Sequence, residues 1–339
     1  MPSSTTLISG MIDALDHQII HAVQTQCRAP FALIGQVLGV SEQTAARRYR
    51  RMESTGLLRV LGLPATESSG FERWILRIQC RPDAASALAE ALARRVDVSW
   101  VSLSAGGAEV ICTTLTRRDG QGQDLLLQRL PRTAEVQSLH AHSILHHFEI
   151  GSEWTGYGDN LSAEQVGQLS SNEPAVSSGP PIDERDAALL AALARDGRAS
   201  LKTLAGHTGW SPARVSRRID QLTSSRALYF DVDLDVERLG FGSMSYLWLT
   251  VAPGDLEAVG NALSRHSQVA YCAAITGGAS LVTAVICRNS ADLYRYVTTQ
   301  VGALPAVRQI EISPLLRRVK QAGTILTDTG IARPPVARR

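Results

Sequence analysis

The chain lacks any apolar run of the about 20 residues that a membrane-spanning helix requires, and no signal-peptide pattern opens it. Those absences lead to the expectation of a cytoplasmic protein with no membrane partner. Cysteine is scarce. Cys27, Cys80, Cys112, Cys272 and Cys287 are odd in number and show no Cys-x-x-Cys spacing, which argues against a disulfide or zinc framework and for reduced, mostly buried thiols. Charge of one sign is missing too: 34 Lys and Arg face 32 Asp and Glu, a net charge of +2, so any nucleic-acid signal has to be local. What remains is 44% hydrophobic and 19% charged over 339 residues, an ordinary globular composition with room for two to four domains.

The sequence repeats itself. Residues 12–58 and 182–228 align without a gap at an offset of 170 and are identical at 12 of 47 positions, among them Asp16/Asp186, Arg28/Arg198, Gly39/Gly209, Ser41/Ser211 and Arg47-Arg48/Arg217-Arg218. Beyond this block the match continues at offset 171: Gly106-Gly107 corresponds to Gly277-Gly278, and Val136–Leu145 to Val307–Leu316. A period this long is a tandem duplication of a whole two-domain protein, not a solenoid repeat.

Each copy divides in the same way. About 50 helical residues are followed by about 80 that alternate between strand and helix periodicity. In copy two the pattern predicts strand 243–251, helix 255–265, strands 268–276 and 280–287, helix 291–302 and strand 307–316. Copy one gives 74–79, 83–94, 98–104, 109–116, 121–130 and 135–145 in the same βαββαβ order, which is ferredoxin-like. The fold class is therefore α+β: a winged-helix-like helix-turn-helix followed by a ferredoxin-like domain, twice. The expected boundaries are 11–63 and 182–236 for the helix-turn-helix domains, and 71–150 and 241–321 for the βαββαβ domains. A sheet with helices on one face needs cover on the other, and the second copy is the obvious cover. Residues 151–181 read as a linker containing a short helix capped by Ser162, and 1–10 and 322–339 as mobile tails.

The helical segments carry the chemistry. In copy two Gly209 suits a tight inter-helix turn, Ser211-Pro212 is a helix start, and Val215, Ile219 and Leu222 form one apolar stripe. Arg214, Arg217, Arg218 and Gln221 are expected on the opposite face. In copy one Ser41 caps, Ala45, Tyr49 and Met52 form the stripe, and Thr44, Arg47, Arg48 and Arg51 point out, flanked by Arg50. A helix held by one face and presenting arginines on the other suits entry into a DNA major groove. One such helix is often only a solvated surface. Two copies that both keep Ser-x5-Arg-Arg argue for function.

These residues, with Leu204-Ala205, Val215-Ser216-Arg217-Arg218-Ile219 and Leu239-Gly240, resemble the Lrp/AsnC family of transcriptional regulators. Ala270–Ile286 and Ala303–Val307 are similar to its effector-binding domain. The resemblance covers nearly the whole chain twice, more closely in copy two. It implies double-stranded DNA and a small-molecule effector, usually an amino acid, as partners, and a homo-oligomer of pseudo-dimeric chains. It also implies effector contacts at the loop between the second and third strands: Gly106, Gly107 and Glu109 in copy one, Thr276, Gly277, Gly278 and Ser280 in copy two. Only Glu109 offers a carboxylate that can pair with a ligand ammonium, so unequal effector sites are expected. A plain hairpin turn accounts for Gly-Gly as well.

His140, His142, His146 and His147 cluster on one strand, yet copy two has none there, so surface imidazoles are expected in place of a metal site. His17 and His21 have the same status. No catalytic residue, metal or cofactor is assigned. The alternative is a tetrapyrrole-binding protein, because sirohaem decarboxylases pair domains that resemble this family; the two arginine-rich helices argue against it. With Thr44 facing Arg214 and Arg51 facing Gln221 across the copies, an asymmetric operator is expected, its half-sites about one helical turn apart.

Overall fold

The computed structural model describes residues 12–65, 71–117, 129–148, 160–170, 182–327 and 330–331. In chain order copy one supplies α1 (Ala14–Thr25), α2 (Phe31–Leu38), α3 (Glu42–Ser54), β1 (Leu58–Pro64), β2 (Phe71–Cys80), α4 (Ala85–Ala93), β3 (Val98–Ser104), β4 (Glu109–Arg117) and β5 (Val136–His147). After α5 (Ala163–Ser170), copy two supplies α6 (Ala187–Leu193), α7 (Leu201–Thr208), α8 (Pro212–Ser224), β6 (Leu228–Leu234), β7 (Ser243–Val251), α9 (Leu256–Leu263), β8 (Val269–Ile275), β9 (Leu281–Cys287), α10 (Ser290–Tyr296, continued by a π turn over Val297–Val301) and β10 (Val307–Arg318). A short hairpin, β11 (Leu326–Thr327) and β12 (Gly330–Ile331), follows. The helix expected over 121–130 lies outside the described residues but for its last two positions.

The chain forms two compact units sorted by domain type, not by copy. The first holds both helix-turn-helix domains. Each is a three-helix cluster around a small apolar core, in copy two Leu189, Leu193, Leu204, Val215, Ile219 and Leu222. Each turn between the second and third helix is made by a glycine in the left-handed region, Gly39 at φ 68° and Gly209 at φ 71°. The wing is shared: β1 of one copy pairs antiparallel with β6 of the other, Leu61 opposite Asp231, and these are equivalent positions in the repeat. A single strand left alone would have unpaired backbone groups, and its counterpart is the nearest strand of matching length.

The short helix expected inside the linker, capped by Ser162, is present, and the described parts of the segments read as linker and tail are packed on the first unit. The segment read as linker contributes α5, which packs on α1 and α2: Leu161 and Leu169 are buried, Ser162 and Gln165 cap each other's backbone N–H, and Gln165 Nε2 donates to Val37 O at 3.0 Å. Of the segment read as a C-terminal tail, the described residues Gly330 and Ile331 pack on this unit, where Ile331 N donates to Gly56 O at 3.0 Å. Both carry few but well-spaced apolar residues, which a composition shift conceals.

The second unit is a closed eight-stranded barrel among the described residues. Copy one contributes the strand order β3-β4-β2-β5 and copy two β8-β9-β7-β10, and the seams are β5–β8 and β10–β3. The seams obey the repeat: Ile144 opposes Ile275 at one, Leu315 opposes Ser104 at the other, each partner displaced by 171. Outside each sheet lies a helix-covered core, around Leu76, Leu103 and Cys112 in copy one and Leu247, Leu263 and Cys272 in copy two. Inside lies a third core drawn from both copies: Ile75, Ile111, Tyr246, Trp248, Ile275 and Val282. Each sheet thus covers the other's open face, as expected from the sequence. Cys80, Cys112, Cys272 and Cys287 are buried and unpaired.

Candidate DNA interface and effector loops

Both third helices start as the sequence indicates. Ser211 Oγ accepts from Arg214 N at 3.3 Å with Pro212 at the first helical position, and Ser41 Oγ accepts from Thr44 N at 3.1 Å. The stripes Val215/Ile219/Leu222 and Ala45/Tyr49/Met52 are buried. On the other face Arg47, Arg50, Arg214, Arg217 and Gln221 are exposed, and Thr44 is half-buried with its hydroxyl 2.9 Å from Ser41 Oγ. The Arg214 guanidinium lies 4.2 Å over the Trp210 ring, which directs it.

Two of the expected DNA contacts, Arg48 and Arg218, turn inward, while Arg51 stays exposed. Arg218 makes a two-point bond to Asp186, Nε to Oδ1 at 2.8 Å and Nη2 to Oδ2 at 2.6 Å. At the equivalent place Arg48 Nη1 reaches Asp13 at 2.7 Å and Asp16 at 3.1 Å, and Arg51 also pairs with Asp16. Asp16 and Asp186 are buried and close capping boxes with Asp13 and Asp183. Burial alone raises the Asp186 carboxyl, but the hydrogen bonds from Arg218 outweigh it and hold the group below the usual carboxylate range. The Ser-x5-Arg-Arg pattern therefore has two meanings: its first arginine faces outward, and its second ties the third helix to the first. An amphipathic helix puts successive residues about 100° apart, so only contacts could separate these roles.

The effector loops also differ from expectation. Glu109 is not a free carboxylate: it is buried, and its Oε1 accepts from Arg77 Nε at 2.7 Å. Arg77 then bonds Glu311 with both Nη atoms, at 3.0 and 2.6 Å, and stacks 4.6 Å over Trp248. The Glu311 carboxyl is lowered by these hydrogen bonds. In copy two Ser280 Oγ accepts from Val251 N at 2.8 Å, and Thr276 Oγ1 accepts from Ser143 N at 2.9 Å. His142 Nδ1 sits 2.7 Å from Thr276 O. Gly277, at φ +110°, has no room for a Cβ, which would lie 2.7 Å from His142 Nδ1. Gly106 and Gly107, at φ +67° and +87°, and Gly278 have open space around them. Thr276, Gly277 and Ser280 thus serve the barrel, and His142 is a loop contact; no metal-binding group of His, Cys, Asp or Glu occurs among the described residues.

Sequence reasoning passed over Arg28 and Arg198, although their identity in both copies was the available signal. Arg28 bonds the carbonyls of Gly197 and Ala199, and Arg198 those of Cys27 and Ala29.

The AsnC-type helix-turn-helix domain matches residues 12–53 and again 182–223, and the Lrp/AsnC ligand-binding domain matches 245–325. The Bkd operon transcriptional regulator of Pseudomonas aeruginosa is 31% identical over 147 residues, covering 41% of this chain and 93% of that protein. The chain belongs to the Lrp/AsnC family. A second relative, the HTH-type transcriptional regulator FL11 of Pyrococcus horikoshii, is 25% identical over 142 residues, 42% of this chain and 93% of its own. Such relatives span one copy of the duplicated Lrp/AsnC unit. Over its length the chain is similar in fold to the siroheme decarboxylase NirDL, with a TM-score of 0.60, 11% identity and coverage of 91% of this chain and 93% of the other. None of the described helices is long and apolar enough to cross a membrane.

Proposed function

We propose that this Lrp/AsnC chain is a DNA-binding transcriptional regulator in which one polypeptide supplies both recognition helices of a family dimer. The observation that carries it is the pair Arg47 and Arg217: equivalent, exposed, and mounted on helices whose opposite faces are buried in the same compact unit. Arginine there can pair with guanine edges or clamp phosphates. Arg214 against Thr44, Arg50 against Asp220, and Arg51, exposed although paired with Asp16, against Gln221 make the two surfaces unequal, so an asymmetric operator is favoured. Ser41, Ser211 and Gln221 complete the proposed surface, with Arg48 and Arg218 holding it in place. The test is selection of bound duplexes from a random pool. Recovery of one asymmetric site supports the reading, and absence of any enriched duplex overturns it.

The effector is proposed as a small molecule of the amino-acid class, acting on the barrel unit in a cytoplasmic protein that assembles further through copies of itself. The open loop of copy one, Gly106-Gly107, is the better candidate contact, since the copy-two loop is bonded into the barrel. The similarity in fold to a sirohaem decarboxylase supports one competing reading, that of a tetrapyrrole enzyme. Titration with an iron porphyrin separates the two: a saturable Soret band with loss of carboxylate from the ligand would replace the regulator by the enzyme.

A further inference from the structure

We propose that Arg28 and Arg198 are positioning residues that set the separation of the two recognition helices, and through it the one half-site spacing the chain accepts. The DNA part of this inference rests on the regulator reading above.

The observation is a reciprocal exchange inside the helix-turn-helix unit. Arg28 spans two carbonyls of the other copy, Gly197 O with Nη1 and Ala199 O with Nη2 at 3.2 Å. Arg198 returns the contact to Cys27 O with Nη1 at 2.5 Å and to Ala29 O with Nη2 at 2.6 Å. The four acceptors are equivalent in pairs at the offset of 170, so each guanidinium fork grips the same two carbonyls of the opposite loop. A planar fork fixes direction as well as distance, which an ammonium on a flexible stem cannot.

The loops have little freedom to slide. Gly197 N donates to Val60 O at 2.8 Å, and a Cβ on Gly197 would lie 2.8 Å from both Leu61 C and Val60 Cγ1. The arginines also reach the elements that carry the recognition surface. Arg198 stacks 4.4 Å from the Phe31 ring and 5.1 Å from the Tyr49 ring, and Tyr49 is on the buried stripe of α3. Arg28 lies 5.5 Å from the Phe230 ring on β6. Copy two has Leu201 and Ile219 where copy one has Phe31 and Tyr49, so Arg198 holds α3 more directly than Arg28 holds α8. Helix-turn-helix pairs read half-sites at a geometrically set interval, and a locked pair accepts one interval only.

The test has two arms on the full chain. Duplexes selected by the unaltered protein are rebuilt with 1 to about 5 base pairs inserted or removed between half-sites. The expected parent profile peaks at one spacing. In Arg28→Lys/Arg198→Lys the peak should fall about tenfold while off-peak affinities stay within about twofold, because only the lock has loosened. A uniform fall at all spacings, or an unchanged profile, overturns the proposal. Independently of DNA, spin labels at Gln43→Cys and Ala213→Cys, exposed equivalent positions, in a Cys27→Ser background report the helix separation. One narrow distance that broadens in the double lysine variant, and more in Arg198→Lys than in Arg28→Lys, supports the lock; a distance that stays narrow overturns it. If the parent selects no duplex, the regulator reading fails while the distance arm still decides the lock.

Discussion

Arg77 lies 4.6 Å over the ring of Trp248, the residue that occupies its own position in the other copy. The repeat therefore does not meet itself as like against like at this point. At neighbouring positions of the repeat, Glu109 corresponds to Ser280, His140 to Glu311 and His142 to Ser313. Arg77 bonds Glu109 from its own copy and Glu311 from the other, and Trp248 Nε1 donates to Ser313 Oγ at 3.0 Å. A homodimer of either half would lack this complement of charges. Divergence after duplication has produced a pairing that only unlike copies can make.

Arg77→Ala should cost the barrel unit about 3 kcal/mol, since Glu109 is left buried without its cation. Glu311→Gln should cost less than about 1 kcal/mol, because that carboxylate is 57% exposed and solvent screens the loss. Urea unfolding of the two variants measures both; equal costs would contradict the assignment of Glu109 as the buried partner.

Arg217→Ala and Arg218→Ala, adjacent in sequence, should separate binding from stability. Arg217→Ala leaves the melting temperature unchanged and flattens the slope of log K against log salt by about 0.9 if it removes one phosphate contact. Arg218→Ala strands the buried Asp186 and should destabilise by about 3 kcal/mol. Calorimetry and a salt titration, run on both proteins, give the comparison directly.

The Asp186–Arg218 pair also sets an acid limit. Its carboxyl is held below its ordinary value of 3.8, so the unfolded chain takes up the proton first as pH falls. The stabilisation is complete above about pH 5 and is lost as the pH drops through 3.8 towards the folded value. The stability gap between the parent and Asp186→Asn should be constant near neutrality and shrink below pH 4. A gap that does not change with pH would mean that the pair contributes nothing electrostatic.

Gly277→Ala should destabilise more than Gly106→Ala. Both glycines have positive φ, which costs a side chain about 1 to 2 kcal/mol, but only at Gly277 does the added carbon meet a neighbour, His142. If Gly106→Ala, near neutral in stability apart from that strain, abolishes an amino-acid response while Gly277→Ala keeps it, the copy-one loop is the effector contact. The reverse pattern would move the site to copy two.

Much of the fold was legible because it rests on local pattern. The strands Val98–Ser104 and Ser243–Val251 coincide with their predicted limits, and the Ser41 and Ser211 caps lie where the spacing put them. The site was only half legible. Arg47 and Arg48 are neighbours of one type, and nothing local separates the exposed residue from the one bound to Asp13 and Asp16. Glu109 was recognisable as the single acid in its loop, but its neutralisation depends on Arg77, 32 residues away. Arg28 and Arg198 were visible only as identities between the copies, because their acceptors are backbone carbonyls, which every residue carries.

The sequence by itself determined the duplication, the order of elements in each copy, the helix caps and the apolar stripes, since each follows from spacing along the chain. Only the folded chain settles that β1 pairs with β6, that the segment after Ser162 packs on α1 and α2, and that one arginine of each Arg-Arg pair is structural. Those outcomes turn on the burial and pairing of charges and unpaired strand edges between distant segments, whose partners are chosen by proximity in space.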